Sequence, residues 1–275
     1  MYRKFLIILI CLLSFECSKK EIEVVQPSEK DKALKIYNEG VKALNERDFF
    51  FASTKFSEAE LILPTIEASA KSSLLASYCL YTINFYDEAL ENLERFVSKY
   101  RADENLPYAH YLIALSYYEQ ILDEKRDLDP LIITKEKIQF FLEKFPNTEY
   151  ALDLKFKLDL VNNQFAAKEL YIAKYYIQNK KWTPAINRLK IIIKDYETTI
   201  FVEEALHRLV EIYYKIGLED EAKSAAAILG YNYNSSRWYQ ESYKIINKNY
   251  KMPKPENIKK NEGLLKRTVN KLLKK

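Results

Sequence analysis

An all-α protein built from stacked helix hairpins is the fold class this sequence predicts, and three observations carry the prediction. Only four glycines and eight prolines interrupt 275 residues dense in Leu, Ile, Ala, Lys and Glu, the composition of a chain that stays helical. Residues 166–197, AAKELYIAKYYIQNKKWTPAINRLKIIIKDYE, place Leu170, Ala173 and Ile177, then Ala185, Leu189 and Ile192, at helical intervals on either side of a polar break at 178–181. That is a helix, a tight turn and a second helix. Ala173 and Ala185 are small where two helices would approach closely, and Tyr175, Tyr176 and Trp182 are large where the gap must be filled. Third, the same spacing recurs along the chain. One hairpin cannot bury both of its faces alone, so it needs stacked neighbours.

The chain starts with Arg3 and Lys4, followed by an apolar run from Phe5 to Phe15. Eleven residues are too few to cross a bilayer, and the short basic start is that of a secretory signal peptide. Cys17 follows the run after Glu16, near where the acylation site of a bacterial lipoprotein stands, which makes Cys17 the candidate lipid acceptor at the end of a 1–17 signal. Ordinary cleavage nearby and an uncleaved anchor are the alternatives. Ser18 is not the Asp of an inner-membrane retention signal. Residues 18–30 are polar, lack helical periodicity and contain Pro27, so they read as a tether.

From Ala33 a ruler of residues 12, 4, 3 and 5 apart matches the tetratricopeptide pattern in Gly40, Ala52, Phe56, Ala59 and Pro64. It returns as Ser77, Ala89, Leu93, Phe96 and Arg101, as Ala173, Ala185, Leu189, Ile192 and Glu197, and as Val210, Ala222, Ala226, Leu229 and Asn234. A fifth unit starts at Leu115, with Thr134, Ile138, Phe141 and Pro146 arriving seven residues late because 123–130, DEKRDLDP, enlarges the hairpin tip. Residues 147–164 stand outside the ruler. Asn147 or Thr148 is the expected N-cap there, and Ala151, Leu154, Leu158 and Val161 form one stripe. With no Pro or Gly before Tyr176, this segment can run straight into the next hairpin as one long helix. A last helix, capped by Ser235 or Ser236, brings Trp238 and Ile245 to close the stack. The expected plan is repeats 1–3 at 31–146, a connecting helix at 147–165, repeats 4–5 with a capping helix at 166–247, and a basic tail at 248–275.

Charge is uneven. The tail holds ten Lys or Arg against Glu256 and Glu262, a local +8, so the rest of a chain of net +4 sums to −4. Leu264, Leu265, Val269, Leu272 and Leu273 fall on one side of a short helix there, opposite Lys266, Arg267 and Lys271. A solvated tail, a partner groove and an anionic lipid surface are its possible settings; nucleic acid is not expected of an exported chain. Cys79 is the one cysteine of the body and reads as a small core residue, while His110 and His207 have no metal-ligand spacing. Without a Gly-rich phosphate loop, a Ser-His-Asp or Cys-His arrangement or clustered ligands, neither catalysis nor a cofactor is expected.

The first helix of each stacked hairpin lines the concave side. Leu34, Tyr37, Val41 and Leu44, then Leu74, Tyr78 and Tyr81, would make an apolar, aromatic wall for substrate peptide, unless the tether or a neighbouring helix covers it. Later units would put Ser116 and Glu119, then Lys174 and Gln178, then His207, Glu211 and Lys215 on a charged wall, of which Lys174, Gln178, Glu211 and Lys215 are candidates for partner binding.

The signal ending in Cys17, the five hairpins, the phrases KFPNTEYALDL and KDYETT between units, and above all KYYIQNKKWTPAINRLK resemble the BamD family of outer-membrane assembly lipoproteins over nearly all of residues 17–247. The chain departs from that family in Ser14-Phe15-Glu16 before the cysteine and in the long tail. The resemblance implies a non-catalytic scaffold, lipid-anchored at the periplasmic face of the outer membrane. Its C-terminal repeats would hold the last POTRA domain of a BamA-type barrel subunit, its N-terminal repeats would contact unfolded outer-membrane proteins, and other assembly lipoproteins would join it. Arg188 stands where the family places an arginine at the barrel-subunit contact; the alternative is that it solvates its helix beside Glu169 or Asp195. Another exported tetratricopeptide adaptor, serving cell-wall or division machinery, is the second functional reading.

Overall fold

The computed structural model describes residues 29–121 and 129–247, which contain eleven α-helices and no strand. These are α1 (Glu29–Asn45), α2 (Phe49–Ile62), α3 (Ile66–Thr82), α4 (Tyr86–Lys99), α5 (Leu106–Glu119), α6 (Asp129–Lys144), α7 (Tyr150–Gln178), α8 (Trp182–Asp195), α9 (Val202–Lys215), α10 (Glu219–Asn232) and α11 (Arg237–Ile246). Cys17, tether residues 18–28, most of the charged hairpin tip and the basic tail lie outside the described residues. Glu29 and Lys30, expected in the tether, already belong to α1.

The chain forms two compact units, Met1–Asn84 and Phe85–Lys275. The division falls inside the stretch expected to hold repeats 1–3. In the first unit α1 packs on α2 and α2 on α3; in the second each helix from α4 to α10 packs on the next, and α11 lies against α9 and α10. Nearest-neighbour packing of this kind is what makes a stack of hairpins.

The sequence ruler maps onto the core. Gly40, Ala52, Phe56 and Ala59 are buried in the first unit, and Ala173, Ala185, Leu189, Ile192, Val210, Ala222, Ala226 and Leu229 in the second. The late unit is no different: Leu115, Thr134, Ile138 and Phe141 are all buried. The last mark, Pro64, Arg101, Pro146, Glu197 or Asn234, is exposed in each unit, in the loop that leaves the hairpin. Close approach explains the glycine at the first mark of the first unit. A Cβ on Gly40 would stand 3.0 Å from two ring carbons of Phe56, nearer than ordinary van der Waals contact.

Each described hairpin tip repeats one backbone device. Arg47, Asn84, Lys180 and Gly217, each seven residues beyond the first ruler mark, are the residues with positive φ, at 62°, 64°, 56° and 84°. The next N–H reaches back to close the preceding helix: Asp48 to Ala43 at 2.9 Å, Lys181 to Tyr176 at 2.9 Å and Leu218 to Tyr213 at 2.8 Å. This is the Schellman termination, which satisfies carbonyls the helix end would leave bare.

Residues 147–178 contain the expected long helix, α7, but neither Asn147 nor Thr148 caps it. The Thr148 hydroxyl donates backwards to the Phe145 carbonyl at 2.9 Å, and Glu149 takes the cap position without a side-chain bond. The buried face of α7 turns partway along. Ala151, Leu154 and Val161 are buried in its first half, where Tyr150 stacks on Tyr111 and the Tyr111 hydroxyl donates to Asp153 at 2.9 Å. Ala166, Leu170 and Ala173 are buried in its second half, in the core that α8 and α9 share. At the end of the stack Ser236 caps α11 by accepting from the Trp238 N–H at 3.1 Å.

Candidate functional site

Two charges expected on an open wall, Lys174 and Glu211, are paired within the second unit. Lys174 of α7 reaches Glu204 of α9 at 2.9 Å, and Arg208, one turn on, donates to the same Glu204 oxygen at 3.1 Å and to Glu211 at 2.7 Å. His207 sits at 3.5 Å from Glu211 through Nε2, and its Nδ1 is 2.9 Å from the buried Ser242 hydroxyl of α11. Trp238 covers the imidazole at 5.0 Å between ring centres, and Arg208 lies 5.6 Å from that indole. One continuous polar chain thus joins α7, α9 and α11.

Its electrostatics follow from these contacts. The hydrogen bond with His207, and after it those from Arg208, hold the Glu211 carboxyl at about 2 against a burial that pushes the other way. Burial works against the Arg208 guanidinium, yet the bonds to Glu211 and Glu204 carry its pKa above the ordinary arginine value. The wall is therefore a strut between the fourth and fifth hairpins and the capping helix, with half-exposed Lys174 at its open end.

Lys215, at the other end of α9, lies 5.0 Å over the Trp182 ring, a cation–π contact from α9 to α8. Gln178 is exposed at the last turn of α7. His207 and Ser116, expected on the concave surface, are buried instead; the Ser116 hydroxyl bonds back to the Leu112 carbonyl at 2.8 Å. Beside Lys174 a cleft of about 660 Å³ runs between α7 and residues 200–201, walled by Leu160, Ala167, Tyr171, Ile200 and Phe201.

Arg188 stands apart from this strut. Its Nη1 donates to both oxygens of Glu169 at 3.0 Å, fastening α8 to α7. The arginine side chain is 38% exposed and the glutamate 16%. One guanidinium nitrogen serves both bonds, so Nε and Nη2 have no partner among the described residues. Asp195, the other carboxylate considered for it, is not in contact.

In the first unit the aromatic wall is tied into the core. Tyr37, Val41, Leu44 and Tyr78 are half-buried against Ala43, Ala52, Phe56, Ala76 and Cys79, with the Tyr37 and Phe56 rings 5.5 Å apart, edge on. Leu34 is 43% exposed, and Tyr81 is half-buried. Leu74 is a correction: at 7% exposure it is core and offers nothing to a ligand, because the turn of α3 that carries it points inward. Glu204, Arg208 and Ser242 were not singled out from sequence. The i, i+4 spacing of Glu204 with Arg208 was visible there; the closure onto Ser242 was not.

Burial pushes the Cys79 thiol up to about 12, so it is inert. No group of three His, Cys, Asp or Glu that could hold a metal occurs among the described residues, and none of their helices is long and apolar enough to cross a membrane.

Residues 29–228 match the family model described as YfiO, outer membrane lipoprotein. The chain is 39% identical to the outer membrane protein assembly factor BamD of Rickettsia prowazekii (strain Madrid E) over 215 residues, 78% of this chain and 85% of that protein. It is 39% identical to BamD of Caulobacter vibrioides over 224 residues, 82% of this chain and 73% of that protein. Among solved structures it is similar to the TPR2AB-domain:pHSP90-complex of yeast Sti1, at 16% identity and a TM-score of 0.42, over 78% of this chain and 81% of that one. The matched span includes the strut residues of α9, the Arg188–Glu169 pair and every ruler mark but Leu229 and Asn234, and the chain belongs to the BamD (YfiO) family of outer membrane protein assembly factors.

Proposed function

We propose that this assembly factor works as a non-catalytic scaffold, anchored through Cys17 at the periplasmic face of the outer membrane. Its second unit holds a POTRA domain of the BamA-type barrel subunit, and its first unit receives segments of unfolded outer-membrane proteins. The observation that carries the reading is Arg188. Its side chain is half-exposed, oriented by Glu169 through a single nitrogen, with two donor edges left for a carboxylate from outside. A guanidinium already fixed by one carboxylate loses less rotamer freedom when it takes a second.

Lys174, Gln178 and Lys215 are further partner contacts on the second unit, and Glu211 acts through the strut that keeps α9 and α11 in place. In the first unit Leu34, Tyr37, Val41, Leu44, Tyr78 and Tyr81 supply the apolar side for substrate. Leu74 backs them from within the core. Further assembly lipoproteins are partners of the same complex. Affinity isolation of the tagged chain from solubilised outer membranes tests the reading. It should recover a POTRA-containing barrel protein, whereas recovery of cell-wall or division proteins in its place would move the chain to the other adaptor class.

A further inference from the structure

The first half of α7 carries an apolar line on its outward side. Leu152, Phe156 and Leu160 recur every four residues and are 77%, 62% and 37% exposed. They lie across the helix from the buried Ala151, Leu154 and Val161. Three large apolar side chains in one row on an uncovered helix face mark an interaction surface.

The charges on either side of the row say what fits it. Lys155 and Asp159, both exposed, stand on one flank. Asp153 and Lys157, 3.7 Å apart, stand on the other. Each flank thus has a cation and an anion four residues apart, in opposite order. In an antiparallel pair of identical helices the two-fold axis is perpendicular to the plane of the two helices, so each flank meets the same flank of the other copy. Lys155 then faces Asp159 of the second copy, and Asp159 faces its Lys155. On the other flank Asp153 and Lys157 stay paired with each other, with Asp153 also accepting from Tyr111. Between them Phe156 meets Phe156, and Leu152 meets Leu160. A parallel pair would instead bring Lys155 and Asp159 against Asp153 and Lys157, which are already bonded to each other and, through Asp153, to Tyr111, and a partner of one sign would be repelled by half of each flank.

We propose that this face of α7 is a self-association surface for a second copy of the chain, packed antiparallel about Phe156. Two exposed helical turns place the contact at the small end of specific interfaces, below about 1,200 Å², where association is weak and reversible.

Sedimentation equilibrium of the lipid-free chain, residues 18–275, from about 1 to about 300 μM covers the range expected of such a contact. The expected result is a reversible monomer–dimer equilibrium. Phe156→Glu should abolish it with the helical circular dichroism and the Tm unchanged. Lys155→Asp should weaken it on the order of tenfold, and Lys155→Asp combined with Asp159→Lys should restore it. A chain that stays monomeric throughout, a dimer indifferent to Phe156→Glu, or a double exchange no tighter than the single one would each overturn the proposal.

Discussion

Arg208 donates to Glu211 at 2.7 Å while its other edge holds Glu204, so one guanidinium braces two carboxylates of α9. The acid sensitivity of the second unit follows from Glu211, held first by His207 and then by that brace. Glu211 has its folded-state pKa depressed to about 2, so it contributes stability above the ordinary glutamate value of about 4.3, and that contribution is lost as pH falls towards 2. The side chain is 38% exposed, which discounts the stabilisation for solvent screening to about 1–2 kcal/mol. Glu211→Gln should lower stability at pH 7 by that amount and leave it nearly unchanged at pH 2, in urea unfolding followed by circular dichroism at both pH values.

The shared positive φ at the hairpin tips gives a paired prediction. A Cβ on Gly217 meets nothing within 4 Å, so Gly217→Ala changes the backbone alone and should destabilise by about 1 kcal/mol. Lys180 bears the corresponding strain in the native chain, and Lys180→Gly should relieve it for a gain of about 0.5 kcal/mol. Chemical denaturation midpoints of the two variants should move in opposite directions.

Gly230 is small for a different reason. A Cβ there would come within 2.6 Å of the Tyr239 ring, so Gly230→Ala should push α11 off α10 at a cost of about 1–3 kcal/mol. Trp238, which lies over His207, reports the movement. Its fluorescence should shift to the red in a Gly230→Ala, Trp182→Phe background relative to Trp182→Phe alone.

What was legible from sequence was whatever repeats. The ruler marks and the helix order follow from spacing and side-chain type, because stacked hairpins depend on contacts between near neighbours, while spacing narrows the last cap to Ser235 or Ser236 and the backbone uses Ser236. The wall residues were placed on the concave side by the same spacing, but spacing does not tell an open charge from a paired one. Lys174, Glu211 and Arg188 each meet a carboxylate or a base 19 or more residues away or across one turn, and side-chain geometry alone decides that. Leu74 illustrates the converse: its position matches that of half-buried Tyr37 in the preceding repeat, and packing buried it in the core. The positive-φ position was hidden because Arg47, Asn84 and Lys180 occupy it and only Gly217 announces it.

The central claim, a scaffold whose Arg188 reaches a partner's carboxylate, is tested most directly by titrating the purified barrel-proximal POTRA domain of the cognate barrel subunit into the chain by calorimetry. Arg188→Ala should weaken binding by about 2–4 kcal/mol, roughly 30- to 1,000-fold, while Lys190→Ala on the same helix changes it less than about threefold. Wild-type binding that Arg188→Ala leaves within about threefold, with the folded helix content of both chains equal, would contradict the account.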